Sequence, residues 1–223
     1  MPPPLRGVLF DLDGTVLDTA PDFLRVLNAL LAEHGRAPLP LSVVRPHVSH
    51  GSRRVVRLGF ADADEAQFAT LQRRFLELYR ESLAVGTRLF DGVEAVLEGL
   101  RARSLRAGIV TNKPAWLTDP LLTELDLHRR FDCVVSGDTV GVGKPDPAPL
   151  LHAAGLVGLT AAECIYVGDA ERDVQAAHRA GMPALIAGYG YVGAGDDLAA
   201  WHGDARLDAP LELLSWLDAS GRL

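Results

Sequence analysis

In the stretch FDLDGTVLDT, Asp11, Asp13 and Asp18 stand within eight positions, directly after the apolar run Val8, Leu9, Phe10. Two unit charges about 4 Å apart repel by roughly 1 kcal/mol in water, and by several times more where water is partly excluded. Such crowding calls for an offset: a helix N-terminus, a proton held on one carboxyl group, or a bound cation. Alternation along an extended segment puts residues i and i+2 on one side, so Asp11 and Asp13 can face a single substrate. Three further polar segments follow apolar runs. Thr111 and Asn112 end RAGIVT, Lys144 and Pro145 come after FDCVVS, and Gly168 and Asp169 end CIYVGD with Asp173 four residues on. Singly, Asp-Gly-Thr reads as a turn, Thr-Asn as a helix cap and Gly-Asp as a strand exit. Lysine usage sets them apart, because the chain has twenty arginines and only two lysines, Lys113 and Lys144, both beside these segments.

The elements that must position these groups are legible as short apolar runs: LRGVLF, RAGIVT, FDCVVS, CIYVGD and MPALIA, most of them separated by amphipathic stretches. That alternation predicts an α/β fold, a Rossmann-like parallel sheet with helices on both faces. Ligands of such sheets bind outside the carboxyl ends of the strands, where the four polar segments fall. The interval 17–85 is the exception: it has no convincing strand and several helical patterns. TAPDFLRVLNALLAEHG offers Thr19 as a cap, Pro21 in the first turn and Gly35 as the stop, with Phe23, Val26, Leu27, Leu30 and Leu31 on one face. EAQFATLQRRFLELYRESL puts Phe68, Leu71, Phe75, Leu78 and Tyr79 at helical spacing. A helical block of about seventy residues exceeds a simple crossover. The chain therefore divides into a core domain, 1–16 and 86–223, and an inserted helical cap domain, 17–85, with AVGTRLFDGV as the return linker.

A net charge of −7 argues against a general polyanion binder, and so against nucleic acid as a partner. No apolar run approaches the ~20 residues that span a bilayer, and MPPPLRGVLF lacks the features of a signal peptide, so a cytoplasmic location is expected. Cys133 and Cys164 lie in β-like runs and read as small core residues rather than a disulfide. His47 and His50 have no acidic or cysteine neighbours that would complete a zinc site. GYGYVGAG has the glycine spacing of a dinucleotide loop, but no helix opens there and about thirty residues remain, so it reads as a flexible loop at the rim of the site.

DLDGT, TN, KP and GDAERD together resemble the four motifs of the haloacid dehalogenase superfamily of phosphotransferases, over essentially the whole chain. The insertion after the first motif is similar to that family's helical cap. The resemblance implies Asp11 as the nucleophile that forms an aspartyl-phosphate, and Asp13 as general acid and base. It implies Mg²⁺ held by the Asp11 carboxylate, the Asp13 carbonyl and Asp169, with Asp173 close behind. It also implies that Lys144 neutralises the nucleophile and the phosphoryl oxygens, which Thr111 and Asn112 bind. Asp18 is assigned no chemistry.

Within the superfamily, dehalogenases lack an aspartate at position 13, and two lysine-dependent branches need a cap lysine that 17–85 does not contain. Hydrolysis of a small phosphorylated metabolite remains. VTNKP, SGDT before KPDP, and YVGDAERDVQAA resemble phosphoglycolate phosphatases and N-acetylmuramic acid 6-phosphate phosphatases, with the former expected and the latter the alternative. Asp146 departs from the former, which often carry histidine there, and GYGY and PLELLSWL look more like the latter. Cap residues His47, Ser49, His50, Ser52, Arg53 and Arg54 are expected to meet the leaving group. A monomer or homodimer is expected. The rival of a different class is a catalytically silent scaffold of the same fold, against which the intact set Asp11, Asp13, Lys144 and Asp169 argues.

Overall fold

Leu9 points to one side of a sheet while Val8 and Phe10 point to the other, and helices cover both sides. That double burial is why the first strand, β1 (Gly7–Phe10), is a continuous apolar run rather than an alternating one. The structure is a computed structural model and describes residues 3–193 and 195–223; Met1 and Pro2 of the amino-terminal stretch, and Ala194 of the glycine-rich one, lie outside the described residues. After β1 come β2 (Leu17–Asp18), α1 (Ala20–Glu33), α2 (Leu41–Val44), a 3₁₀ turn (Arg45–His50), α3 (Gly51–Gly59), α4 (Glu65–Glu81) and β3 (Arg88–Leu89). The chain then runs through α5 (Val93–Ala102), β4 (Arg106–Val110), α6 (Ala115–Glu124), β5 (Cys133–Val135), α7 (Ala148–Leu156) and β6 (Cys164–Gly168). It ends with α8 (Glu171–Ala180), β7 (Ala184–Ala187), β8 (Ala205–Leu207) and α9 (Glu212–Ala219).

The main sheet has the order β5-β4-β1-β6-β7-β8, and every neighbouring pair is parallel. Side chains of α5, α6 and α9 pack with Val8 and Phe10 on one face, and those of α7 and α8 with Leu9 on the other. Five strands coincide with the five apolar runs. The sixth, β8, is a three-residue edge strand that carries a charged Arg206 and had no apolar run to announce it. β1 ends at Phe10, β4 at Val110, β5 at Val135 and β6 at Gly168, so the four polar segments leave the sheet at one edge.

Between β1 and β4, α1 to α4 build a second core of their own from Val26, Leu27, Leu30, Leu31, Val44, Val55, Val56, Phe68 and Phe75. These helices fill the interval expected to form a cap. Asp64 caps α4 by accepting from the Gln67 backbone N–H at 2.8 Å, while the Gln67 side chain accepts from the Asp64 N–H at 3.3 Å. The cap core is continuous with the body through Leu117 and Tyr191.

Two findings revise the expected entry to the cap. Leu17 and Asp18 form a strand after all, a two-residue ribbon paired antiparallel with Arg88 and Leu89 of the return linker. Thr19 occupies the N-cap of α1 but makes no capping bond, because its hydroxyl donates instead to Asp13 Oδ1 at 2.7 Å. Asp22, fully buried, closes the hinge: it accepts from the Gly86 N–H at 3.0 Å, the Thr87 N–H at 2.9 Å and the Thr87 hydroxyl at 2.7 Å. The first turn of α1 thus ties the outgoing chain to the returning one.

Candidate active site

Lys144 is wholly buried, and its ammonium lies 2.9 Å from Asp11 Oδ1 and 2.8 Å from Asp173 Oδ1. It donates to the Val110 carbonyl at 2.9 Å and to the Tyr166 hydroxyl at 2.7 Å. A buried ammonium with four oxygen neighbours is a fixed charge, which suits a site that must stabilise charge without reorganising. Asn112 fixes the backbone behind it: its amide oxygen accepts from the Lys144 N–H at 2.8 Å and its amide nitrogen donates to the Lys144 carbonyl at 2.9 Å. Asp11 leaves the end of β1 with Oδ1 taking the Leu12 N–H at 2.7 Å. Oδ2 makes no hydrogen bond among the described residues, and Asp11 lines a cavity of about 400 Å³ between core and cap.

Asp11, Asp169 and Asp173 form a buried cluster in which one oxygen from each lies within 4.8 Å of the others. Burial, and then the neighbouring carboxylates, push the Asp169 carboxyl above its ordinary range; burial also raises Asp173, against the pull of Lys144. Among the described residues Asp169 Oδ1 is buried without any hydrogen-bond partner, and Asp173 Oδ1 has only the ion-pair contact with Lys144. An orphaned carboxylate oxygen in a buried acidic cluster fits a hard divalent cation, which takes oxygen ligands. The Asp13 carboxylate is not in this cluster.

Asp13 instead faces a second cation. The Lys113 ammonium donates to its Oδ1 at 3.0 Å and Oδ2 at 3.3 Å, and to the Tyr79 hydroxyl of α4 at 2.9 Å. Lys113 is nearly as hidden as Lys144, with 5% of its side chain exposed. Burial alone would lower its pKa, but the Asp13 carboxylate and the Tyr79 oxygen outweigh that and raise it, so it stays charged. Burial pushes the Tyr79 phenol up to about 12, which keeps it neutral. Sequence reasoning noticed that Lys113 survives beside a motif and gave it no role; Tyr79 was read only as part of an apolar stripe.

The cap supplies the opposite wall. Ser49, His50, Ser52 and Arg53 line the cavity with Gln72 and Phe75 of α4. Ser49 donates to Asp169 Oδ2 at 2.6 Å, so the cap touches the acidic cluster directly. Ser52 accepts from Gln72 at 3.1 Å, while the Arg53 guanidinium turns to Glu65 at 2.9 Å and covers the Phe68 ring. Partial burial, with Arg172 next, lowers the His50 pKa. His47 and Arg54 do not line the cavity. Thr111 does, and its hydroxyl accepts from the Lys113 N–H at 3.1 Å.

A family model described as haloacid dehalogenase-like hydrolase matches residues 8–187. The chain belongs to the haloacid dehalogenase-like hydrolases. A phosphoglycolate phosphatase of Xanthomonas campestris is 44% identical over 93% of this chain and 94% of its own. An N-acetylmuramic acid 6-phosphate phosphatase of Pseudomonas putida is 38% identical over 97% of both chains. Among solved structures, a predicted phosphoglycolate phosphatase from Haemophilus somnus superposes with a TM-score of 0.83 at 29% identity, covering 95% of this chain and 97% of that one.

In this hydrolase Gly190 and Tyr191 of the glycine-rich stretch pack into the site instead of forming a loose rim. The Tyr191 N–H donates to Asp169 Oδ2 at 2.9 Å, and the buried Tyr191 hydroxyl accepts from the Ala20 N–H at 2.8 Å and donates to Asp18 at 2.9 Å. A Cβ at Gly190 would strike the Gly14 carbonyl and Asp169, so that glycine serves close packing against the first motif, not a phosphate. Asp18 also receives Arg45 of the cap at 2.9 Å through both oxygens. It thereby joins the cap to the core. Arg172 was missed as well: half-buried beside the acidic cluster, it lines the cavity and donates to the Ser49 carbonyl, while its Nε has no partner among the described residues.

Proposed function

We propose that this protein is a Mg²⁺-dependent phosphomonoesterase that hydrolyses a small phosphorylated metabolite through an aspartyl-phosphate on Asp11. The observation that carries this reading is Asp11 itself: a buried carboxylate with Oδ1 fixed by Lys144 and the Leu12 N–H and Oδ2 without a partner. Asp11 attacks phosphorus; Lys144 neutralises it and the phosphoryl oxygens, with Thr111 and Asn112 beside them. Asp13 gives a proton to the leaving oxygen and takes one from the hydrolytic water. Asp11, Asp169 and the Asp13 carbonyl would hold the cation, with Asp173 behind. Bound there, the cation supplies charge neutralisation for the phosphoryl group. The domain division at 17–85 belongs to the same reading, with the cap excluding water during the reaction. So does a cytoplasmic location, supported by two buried, unpaired cysteines. No helix among the described residues is long and apolar enough to cross a membrane.

The relatives support 2-phosphoglycolate as substrate, the more similar group bearing that name at up to 44% identity. One observation favours N-acetylmuramic acid 6-phosphate: the cavity of about 400 Å³, walled by Phe23, Val48, Phe75 and Leu76, is far roomier than a two-carbon leaving group needs. Both compounds carry a carboxylate besides the phosphate, which suits His50, Ser52, Arg53 and Arg172 on the leaving-group side. A panel of kcat/KM values for 2-phosphoglycolate, N-acetylmuramic acid 6-phosphate and common sugar phosphates tests this. A hundredfold preference, about 2.7 kcal/mol in transition-state binding, identifies the substrate. Folded protein with no turnover of any ester in Mg²⁺ overturns the enzyme reading.

A further inference from the structure

Asp13 Oδ1 receives two donors, Thr19 at 2.7 Å and Lys113 at 3.0 Å, whereas Oδ2 has only the longer Lys113 contact at 3.3 Å. The carboxylate is therefore pinned through one oxygen and presents the other. Lys113 leaves the core just after β4, yet its ammonium ends inside the cap. There it bonds the Tyr79 hydroxyl at 2.9 Å and lies 4.6 Å from the Tyr79 ring centroid and 5.3 Å from that of Phe23. Its backbone is fixed from the core side, where its N–H donates to Thr111 and its carbonyl accepts from the Gly137 N–H at 2.9 Å and the Thr118 hydroxyl at 3.1 Å. A root held by the core and a head held by α1 and α4 make this side chain sensitive to whether the cap is docked.

We propose that Lys113 is a positioning residue: held by Tyr79 of the docked cap, it orients Asp13 so that Oδ2 serves the leaving oxygen, coupling cap docking to proton delivery. The inference rests on Asp13 acting as the general acid. Proton transfer requires the donor within hydrogen-bond reach of the leaving oxygen, and a carboxylate free to rotate meets that condition for only part of the time. If α4 withdraws, the ammonium loses the Tyr79 oxygen and the Tyr79 ring, keeping only the Phe23 ring of α1, and Thr19 becomes the one donor still fixed on Asp13. Leaving groups of high proton affinity would then depart only with the cap in place.

The test separates proton delivery from general damage. With enzyme in excess and Mg²⁺ present, the single-turnover release of leaving group is measured for p-nitrophenyl phosphate, whose leaving group needs no proton, and for an alkyl phosphate, whose leaving group does. Lys113→Met and Tyr79→Phe are compared with Asp13→Asn. Tyr79→Phe keeps the ring and its packing, so it reports even if Lys113→Met is poorly folded. We expect both to slow the alkyl ester at least tenfold more than the aryl ester, with Tyr79→Phe the milder. Equal losses on both esters, or none, while Asp13→Asn discriminates, overturn the positioning role alone. An Asp13→Asn variant that does not discriminate overturns the acid assignment, and the proposal with it.

Discussion

Replacing Lys144 by methionine removes the ammonium from between Asp11 and Asp173, at 2.9 and 2.8 Å, in a site with no solvent exposure on the lysine side. Methionine matches the length of the stem, so the change is chiefly one of charge. Breaking a buried pair by deleting one partner costs about 3–5 kcal/mol, because the other is left as an uncompensated charge. At about 2–4 °C per kcal/mol for a chain of this size, Tm should fall by roughly 6–20 °C in EDTA. The loss should also depend on pH. The carboxyls of Asp169 and Asp173 are already raised by burial, and removing the cation raises their neighbourhood further. A carboxyl with a raised folded-state pKa is stabilising while protonated, and that stability is lost as pH rises through the folded value. The Tm deficit of Lys144→Met should therefore be smaller at pH 5 than at pH 8, and Mg²⁺ should recover more of it than it adds to the wild type. Differential scanning fluorimetry at both pH values, with and without Mg²⁺, reads all of this. A deficit under about 2 °C that does not change with pH would refute the description of Lys144 as the neutralising charge of the site.

In the wild type without cation, the same sign holds: stability should decline as pH rises from about 4, where unfolded carboxyls titrate, through the raised folded-state values, and saturating Mg²⁺ should flatten that slope in thermal melts. Gly190→Ala should weaken Mg²⁺ binding in calorimetry at least tenfold, since its Cβ would displace Asp169; unchanged affinity would remove the packing role given to that glycine. Burial pushes the Cys133 and Cys164 thiols up to about 12 and about 11, so neither should react with a thiol reagent at pH 8 until the protein is unfolded. Asp22→Ala, which strips three donors of their acceptor at the hinge, should lower Tm by several degrees, as a buried charged hydrogen-bond hub does when removed; a neutral effect would mean the linkers do not depend on it.

The strands and the core motifs were legible because each motif sits directly after an apolar run, and parallel topology then forces the motifs to one edge. β8 was not, since a three-residue edge strand with one buried side chain carries no period. The helices α1 and α4 followed from spacing and end signals, whereas α2 and α3 were not specified, and Thr19 shows where local rules stop: a good capping residue gave its hydroxyl to a carboxylate six positions back. Lys113 and Tyr79 are the clearest omission. They lie 34 positions apart and meet only because α4 folds over the end of β4. The sequence clue was compositional, the survival of a second lysine in an arginine-rich chain, and it pointed to importance without saying to what. The glycine-rich stretch misled in the opposite sense: its spacing mimicked a ligand loop where the requirement was close approach to Asp169.

Asp11 as the nucleophile is the step on which every other residue role depends. Acid-quenched single turnovers with an identified substrate, digested and read by mass spectrometry, test it most directly. A phosphoryl group on the peptide that contains Asp11, absent in Asp11→Asn and lost from the wild type as inorganic phosphate appears, is the predicted result. Full turnover with no phosphorylated peptide at any time, or undiminished turnover in Asp11→Asn, would contradict it.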